Sequence, residues 1–224
     1  MSASPLPATP PRGYFRKREK TRARLLEAAK QVMAGKGIEG TTIAEIAAAA
    51  DVAPGTFYNY YRTREEILNA VAQSLVEEFR RLMAAIQRNV DDPAERIAIA
   101  IRLFLERVKE DHLWGWFMAR YAPSLPILRD QTREIIRERI IADGLRRRRF
   151  RLPSTRAVGD LIAGTSVTAL RSILEGRASI AIAGEVAELV LRGLGVPLDE
   201  AHEIASRPIP ALRAAGTPRV RTAS

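Results

Sequence analysis

Residues 41–68 read TTIAEIAAAADVAPGTFYNYYRTREEIL, a pattern of short helix, turn, second short helix and capped third helix. Thr42 followed by Glu45 is a capping box: the hydroxyl accepts from an early backbone N–H and the carboxylate reaches back to the cap's own N–H. A helix is therefore predicted to start at about Ile43. Ile43, Ile46, Ala47 and Ala50 recur at helical spacing and give an Ala-rich rod one apolar face, thin enough for close packing. Asp51 interrupts that run, so the chain is expected to turn there with Val52 as a buried plug. Asp tolerates the left-handed conformation of a tight turn, at more cost than Gly. Pro54 suits a first helical position, where its missing N–H is harmless. The second helix is predicted from about Pro54 to Tyr60.

The early residues of that second helix, Pro54, Gly55 and Thr56, are small enough to let the backbone approach a groove floor. Asn59, one turn on, can pair with a base edge, adenine for preference. Phe57 and Tyr61 should face inward, while Tyr58 and Tyr60 flank them and can send hydroxyls toward phosphates. Thr63 and Glu66 form a second capping box, whose free N–H groups beside Arg64 suit a phosphate. Taken singly, each of these side chains is common in ordinary packing or capping; it is the constellation that points to DNA.

The segment GIEGTTIAEIAAAADVAPGTFYNYYRTREEIL, with Thr21-Arg22, Leu25-Leu26, Ala28-Ala29, Val32-Met33 and Gly37 before it, resembles the DNA-binding domain of the TetR family of bacterial transcriptional regulators. The resemblance covers roughly residues 18 to 78. It implies that Thr42, Tyr58, Tyr60 and Arg64 hold phosphates and that Pro54, Gly55, Thr56 and Asn59 face base edges in a major groove. Three residues depart from the family pattern: Asp51 for the usual Gly, Ala53 for the usual Ser-type cap, and Arg64 for the usual Lys. The first two imply a less firmly fixed turn, and the third keeps the charge while changing its geometry. Ala44 offers no side chain for a base contact, so shape and phosphate contacts are expected to carry more of the affinity.

Composition agrees with a polyanionic partner: 224 residues carry a formal charge of +10, and 46% are hydrophobic, enough to bury a sizeable core. Arg12, Arg16, Lys17, Arg18, Lys20, Arg22 and Arg24 precede the motif with Glu19 as the one opposing charge. Residues 1–17 are expected to form a disordered basic arm able to lie along a DNA backbone or reach a minor groove. Cysteine is absent, which excludes disulfides and Cys-based metal sites and fits a cytoplasmic setting. Nothing in the sequence resembles a secretory signal, so none is expected, and no apolar stretch is expected to approach a membrane span.

The organisation expected is all-α: an N-terminal three-helix helix-turn-helix domain (residues 18–78, motif about 42–61) joined by a long helix to a C-terminal helical domain (79–196). The latter would bind effector and dimerise, and a loosely ordered tail (197–224) would follow. Ile67, Leu68, Val71, Leu75, Val76, Phe79, Leu82, Met83 and Ile86 mark the long helix. Pro93 starts another carrying Ile97, Ile101, Phe104, Leu105 and Val108, and His112 to Ala122 continues with both tryptophans. Further helices are predicted at about 127–150, 155–175 and 180–194. The last two are apolar on more than one side, which suggests a partner subunit. The resemblance implies the same: a homodimer closed by these helices, reading a palindromic double-stranded DNA operator.

The segment HLWGWFMARY concentrates aromatic surface. Trp114, Trp116, Phe117, Met118 and Tyr121, with Phe104 one helix earlier, are candidates for a small-molecule pocket, with Arg120 or His112 available to a polar group. The resemblance implies an effector there, hydrophobic or amphipathic, that releases a repressor from DNA. Arg146 to Arg149 are read as solvated cations complementing a helix end rather than as a second nucleic-acid site. With two histidines, no cysteine and no Gly-rich phosphate loop, no constellation for catalysis, metal or cofactor is found. The alternatives are a helical enzyme or carrier acting on a hydrophobic small molecule, and an architectural DNA binder without effector.

Overall fold

The structure, a computed structural model, describes residues 12–152 and 154–212, with the side chains of residues 12–15 and 155 outside that description. Every regular element among the described residues is helical. The chain divides into two compact units between Val71 and Ala72.

The first unit holds α1 (Arg12–Lys36), α2 (Ile43–Ala49), α3 (Pro54–Phe57) and the start of α4 (Arg64–Asn89). Its core is Leu25, Leu26, Ala29 and Met33 of α1, Ile46 and Ala47 of α2, Phe57, Tyr61 and Ile67. The alanines of α2 let it lie close on α1 and α3, as an apolar face of small residues should. Helix α1 begins at Arg12, so residues 12–17 of the expected arm continue a helix, while residues 1–11 lie outside the described residues.

Two local expectations are corrected in this unit. The second helix closes at Phe57 instead of running to Tyr60, and the chain goes on through tight turns in which Asn59 N–H donates to Thr56 O and Tyr60 N–H to Phe57 O. Ala53 gives it no side-chain cap, so a single helical turn flanked by turns is what remains. Val52 is half-buried rather than a buried plug.

The second unit holds the rest of α4, then α5 (Pro93–Glu106), a 3₁₀ turn (Arg107–Lys109), α6 (His112–Tyr121), α7 (Pro126–Ile136), a π-helical turn (Arg137–Ile141), α8 (Ala142–Arg146), α9 (Thr155–Leu174), α10 (Ile182–Gly193) and α11 (Leu198–Ser206). Helix α5 is a hub: it packs on α10, α11 and α9, and buries Ile97, Ile99, Ile101 and Leu105. Asp92 caps it, accepting from Ala94 N–H at 2.9 Å, and Pro93 occupies its first position.

The helix expected over 127–150 ends at Arg146. Arg148 turns the chain in a left-handed conformation (φ 55°), and Phe150 folds back so closely on Gly144 that a Cβ there would lie 2.1 Å from the ring. Glycine at 144 is thus a packing requirement.

The arginine run that follows is less solvated than its sequence suggests. Arg147 pairs with Asp91 and Asp143, Arg149 with Asp92 and Glu200, and Arg146 with Asp143. Beneath them Arg96 is buried, donating to Val90 O at 2.8 Å and to Asp143 at 2.8 Å. Burial opposes ionisation of the Asp143 carboxyl, but the Arg96 hydrogen bond and the charges of Arg147, Arg96 and Arg146 outweigh it and hold the group below the usual carboxylate range.

Residues 198–206 were expected in a loose tail and instead form α11, which buries Ala201, Ile204 and Ala205 against α10 and α5. Its start was legible in Pro197 followed by Asp199 and Glu200, acids that suit a first helical turn. Helix α9 corrects another expectation: over Arg156–Leu174 its mean hydropathy reaches 1.2, so by length and composition it suffices for a membrane span.

Candidate nucleic-acid interface and cavity

The turn between α2 and α3 decides how α3 is presented. Thr42 and Glu45 form the expected capping box at the start of α2: Glu45 N–H donates to the Thr42 hydroxyl at 3.2 Å, and Thr42 N–H donates to the Glu45 carboxylate at 3.1 Å. The Lys36 ammonium hydrogen-bonds that carboxylate and, with the Thr42 donors, holds it below its ordinary range. At the other end, Val52 N–H donates to Ala47 O and Asp51 N–H to Ala48 O, each at 3.0 Å, with Asp51 left-handed at φ 51°. This is a Schellman closure with Asp where Gly has no steric penalty.

Arg24 of α1 reaches across to that turn. Its Nη2 donates to Ala50 O at 2.5 Å, Asp51 O at 2.9 Å and the Asp51 carboxylate at 2.9 Å. The sequence reading missed this clamp, because the two residues lie far apart in the chain and meet only through the crossing of α1 and α2. Asp in a position that favours Gly was the available signal.

The proposed base readers lie at the surface: Pro54, Gly55 and Asn59 are exposed and Thr56 is half-buried. A Cβ added to Gly55 would meet nothing, so no neighbour within the protein requires glycine there. Phe57 and Tyr61 are buried beneath, as their spacing indicated. Tyr58 is 57% exposed with its ring edge-on to Phe57 at 5.7 Å, and Tyr60 is half-buried.

The other two proposed phosphate ligands carry intramolecular duties. The Thr42 hydroxyl also donates to Glu45 at 3.0 Å. Arg64 donates from one guanidinium nitrogen to Ile38 O at 3.2 Å and Glu39 O at 2.9 Å, tying the start of α4 to the loop before α2. Thr63 caps α4 by accepting from Glu66 N–H at 3.1 Å. The Glu66 carboxylate reaches back past the cap to Arg62 N–H at 2.6 Å.

The second unit contains a cavity of about 1760 Å³, which α4, α5, α6, α7 and α9 line. Its wall includes Phe79, Phe104, Trp114, Met118 and Leu128, with the buried Ser166 among them. Phe104 and Trp114 meet edge-on at 5.3 Å, and Arg107 stacks over the Trp114 ring at 4.4 Å while pairing with Glu78.

The aromatic cluster expected to line one pocket is therefore divided. Phe104, Trp114 and Met118 are on the wall, whereas Trp116, Phe117 and Tyr121 are not. Phe117 is fully buried and packs on Tyr121 at 5.4 Å, and Trp116 lies between His112 and Arg120, the latter 4.9 Å over its ring. Helical geometry explains the split, since residues one or two apart on α6 point to different sides. Leu75 and Leu82 of α4, Ile101 of α5 and Ile162 of α9 add to the apolar wall, and only the tertiary arrangement brings these three helices together.

Comparison with known proteins matches both units. Residues 25–71 match the model for bacterial regulatory proteins of the tetR family, and residues 92–207 match a tetracyclin repressor-like C-terminal domain. The transcriptional regulator TcmR of Streptomyces glaucescens is 30% identical over 102 residues, covering 45% of this chain and 44% of that protein. The chain thus spans about half the length of the curated relatives it matches. The crystal structure of RolR in complex with resorcinol is 33% identical, covers 88% of this chain and 99% of that one, and gives a TM-score of 0.65. FadR from Bacillus subtilis in complex with stearoyl-CoA, at 23% identity, 76% and 98% coverage and a TM-score of 0.66, shares the fold. These relatives are transcriptional regulators rather than enzymes. A C-terminal match over residues 92–207, more than half of the chain, together with the helix-turn-helix match before it, establishes that the chain belongs to the TetR family of bacterial transcriptional regulators.

Proposed function

We propose that this chain is a ligand-responsive repressor that acts in the cytoplasm and holds a palindromic operator as a homodimer until a small amphipathic molecule enters the cavity. The observation that carries the DNA half is the exposed end of α3, with Pro54, Gly55 and Asn59 open to solvent over a buried Phe57 and Tyr61. Pro54, Gly55, Thr56 and Asn59 are assigned to base edges, and Tyr58 and Tyr60 to phosphates. Thr42 and Arg64 take phosphates by exchanging bonds they make within the protein, so their share is smaller. Dimerisation is assigned to α9 and α10: Leu189 is 60% exposed on α10, and the apolar α9 is mostly unburied within the subunit. Asp160 and Arg171 on α9 suit a helix packed on protein better than one in hydrocarbon.

The effector is read as an aromatic or similarly flat apolar body carrying hydroxyl groups. Phe79, Phe104 and Trp114 supply the apolar surface and Ser166 a hydroxyl on the wall, and a relative of 33% identity is known in complex with resorcinol. Such a molecule shifts the equilibrium only by its difference in affinity for the DNA-bound and released forms.

The test is recovery of bound fragments from sheared genomic DNA, followed by titration of the recovered duplex with resorcinol and related phenols. A symmetric site, released by one of these compounds in the wild type and not in a Trp114→Ala variant of equal DNA affinity, is the expected result. Failure to enrich any sequence over the input would refute the regulator reading, and release unaffected by Trp114→Ala would refute the pocket assignment.

A further inference from the structure

The buried stripe of α1 runs through Leu25, Ala29 and Met33, with Leu26 beside it. Followed toward the N-terminus at the same helical spacing, the stripe reaches Arg22 and then Arg18. Both are exposed. One stripe therefore changes along the helix from core to cationic.

The cationic half lies beside the DNA-reading segment. The Arg18 guanidinium is 5.8 Å from the centre of the Tyr60 ring, a cation–π distance, and Arg22 lies close enough to Tyr61 for its charge to oppose the upward push that burial gives that phenol. Arg16, Lys17 and Lys20 add exposed positive charge on the same turns. Among the described residues none of Arg16, Lys17, Arg18, Lys20 and Arg22 has an ion-pair partner, whereas Arg24, Arg64, Arg107, Arg133, Arg147 and Arg149 each pair with an acid. Guanidiniums without an acid partner, beside a tyrosine assigned to a phosphate, are complementary in charge to a nucleic-acid backbone.

We propose that the N-terminal turns of α1 are a second backbone grip, in which Arg18 and Arg22 take DNA phosphates flanking the groove entered by α3. The inference rests on the DNA-binding reading above and adds a surface to it. This grip is indifferent to base sequence, so it raises affinity for operator and random duplex alike. Each phosphate contact contributes about −0.9 to the slope of log K against log salt, so two contacts in each subunit, four in the proposed homodimer, contribute roughly −3.6.

The experiment measures binding of the full chain to a random-sequence duplex and to a duplex selected by the wild type, across a salt series. Four proteins are compared: wild type, Arg18→Gln/Arg22→Gln, Arg18→Lys/Arg22→Lys, and a control, Arg88→Gln/Lys109→Gln, which removes two exposed cations of the second unit outside the helices assigned to dimerisation. Circular dichroism confirms that each is folded. The proposal expects the glutamine pair to flatten the slope by roughly 3.6 on both duplexes and to weaken binding at least tenfold at roughly 0.1 M salt, the lysine pair to restore most of the slope, and the control to resemble wild type. A glutamine pair whose slope matches that of the control would overturn the grip while leaving α3 as the reader. Loss confined to the selected duplex would overturn it too, since that pattern belongs to base readout. A wild type that binds neither duplex would overturn both readings.

Discussion

Removing Arg24 tests whether a left-handed aspartate in the helix-turn-helix is held by its neighbour. Arg24→Ala deletes charge-assisted bonds to two carbonyls and an ion pair whose side chains are 49% and 98% exposed. An exposed pair contributes about 0.5 kcal/mol. A buried bond from a charged donor contributes about 1.5 kcal/mol, and at this exposure roughly half of that applies to each carbonyl. The turn should therefore lose about 2 kcal/mol, a roughly thirtyfold rise in its opening. Asp51→Gly removes a left-handed penalty of about 1 kcal/mol and forfeits the pair, for a net gain of about 0.5 kcal/mol.

In the double variant Arg24→Ala should cost only about 1.5 kcal/mol, because the carboxylate it served is gone, leaving a coupling near 0.5 kcal/mol. Native-state hydrogen exchange of the Val52 amide, bonded to Ala47 O at 3.0 Å, reads the opening directly. Protection reduced less than about threefold by Arg24→Ala would refute the clamp, as would a fall in protection on Asp51→Gly.

Gly55→Ala meets no protein atom and should leave thermal stability unchanged or raise it by up to about 1 kcal/mol, while weakening DNA binding at least tenfold if the α3 backbone approaches a groove floor; equal affinity in a gel shift would refute that approach. Asp143 has a lowered pKa when folded, so its contribution is complete above the usual aspartate range and is lost as pH falls through the depressed folded value. Asp143→Asn should cost about 3 kcal/mol at neutral pH by stranding Arg96, and should flatten the acid limb of a urea-denaturation series; an unchanged acid limb would assign that limb to other carboxylates. A bound phenol should quench Trp114, which is on the cavity wall, so the signal should survive Trp116→Phe and vanish in Trp114→Phe; the reverse pattern, read by fluorescence titration, would move the site to the outer side of α6.

Local chemistry made the first unit legible. The capping box of Thr42 and Glu45, Pro54 and the inward pair Phe57 and Tyr61 act within a few residues of themselves, and each is found where its spacing places it. Contacts that depend on how helices cross were hidden: Arg24 on the turn, Arg64 on the loop carbonyls, and the pairing of Arg147 and Arg149 with acids more than fifty residues earlier. The cavity was half legible for the same reason. An aromatic run announces bulk, but which of Trp114, Trp116 and Phe117 faces a cavity depends on the rotation of α6 against α9, which no local pattern encodes. Helix α11 was obscured by the prolines around it, although Ala201, Ile204 and Ala205 already carried helical spacing.

The change of character along α1 separates two traits that selection usually meets together. On the proposed assignment, the target sequence is set by residues 42–60, while the hold on any duplex is set by the turns around Arg18 and Arg22, which are exposed and stand outside the buried core of the first unit. Duplicated genes could thus keep one target sequence and diverge in occupancy by a single exposed codon, giving graded thresholds of repression from the same recognition surface.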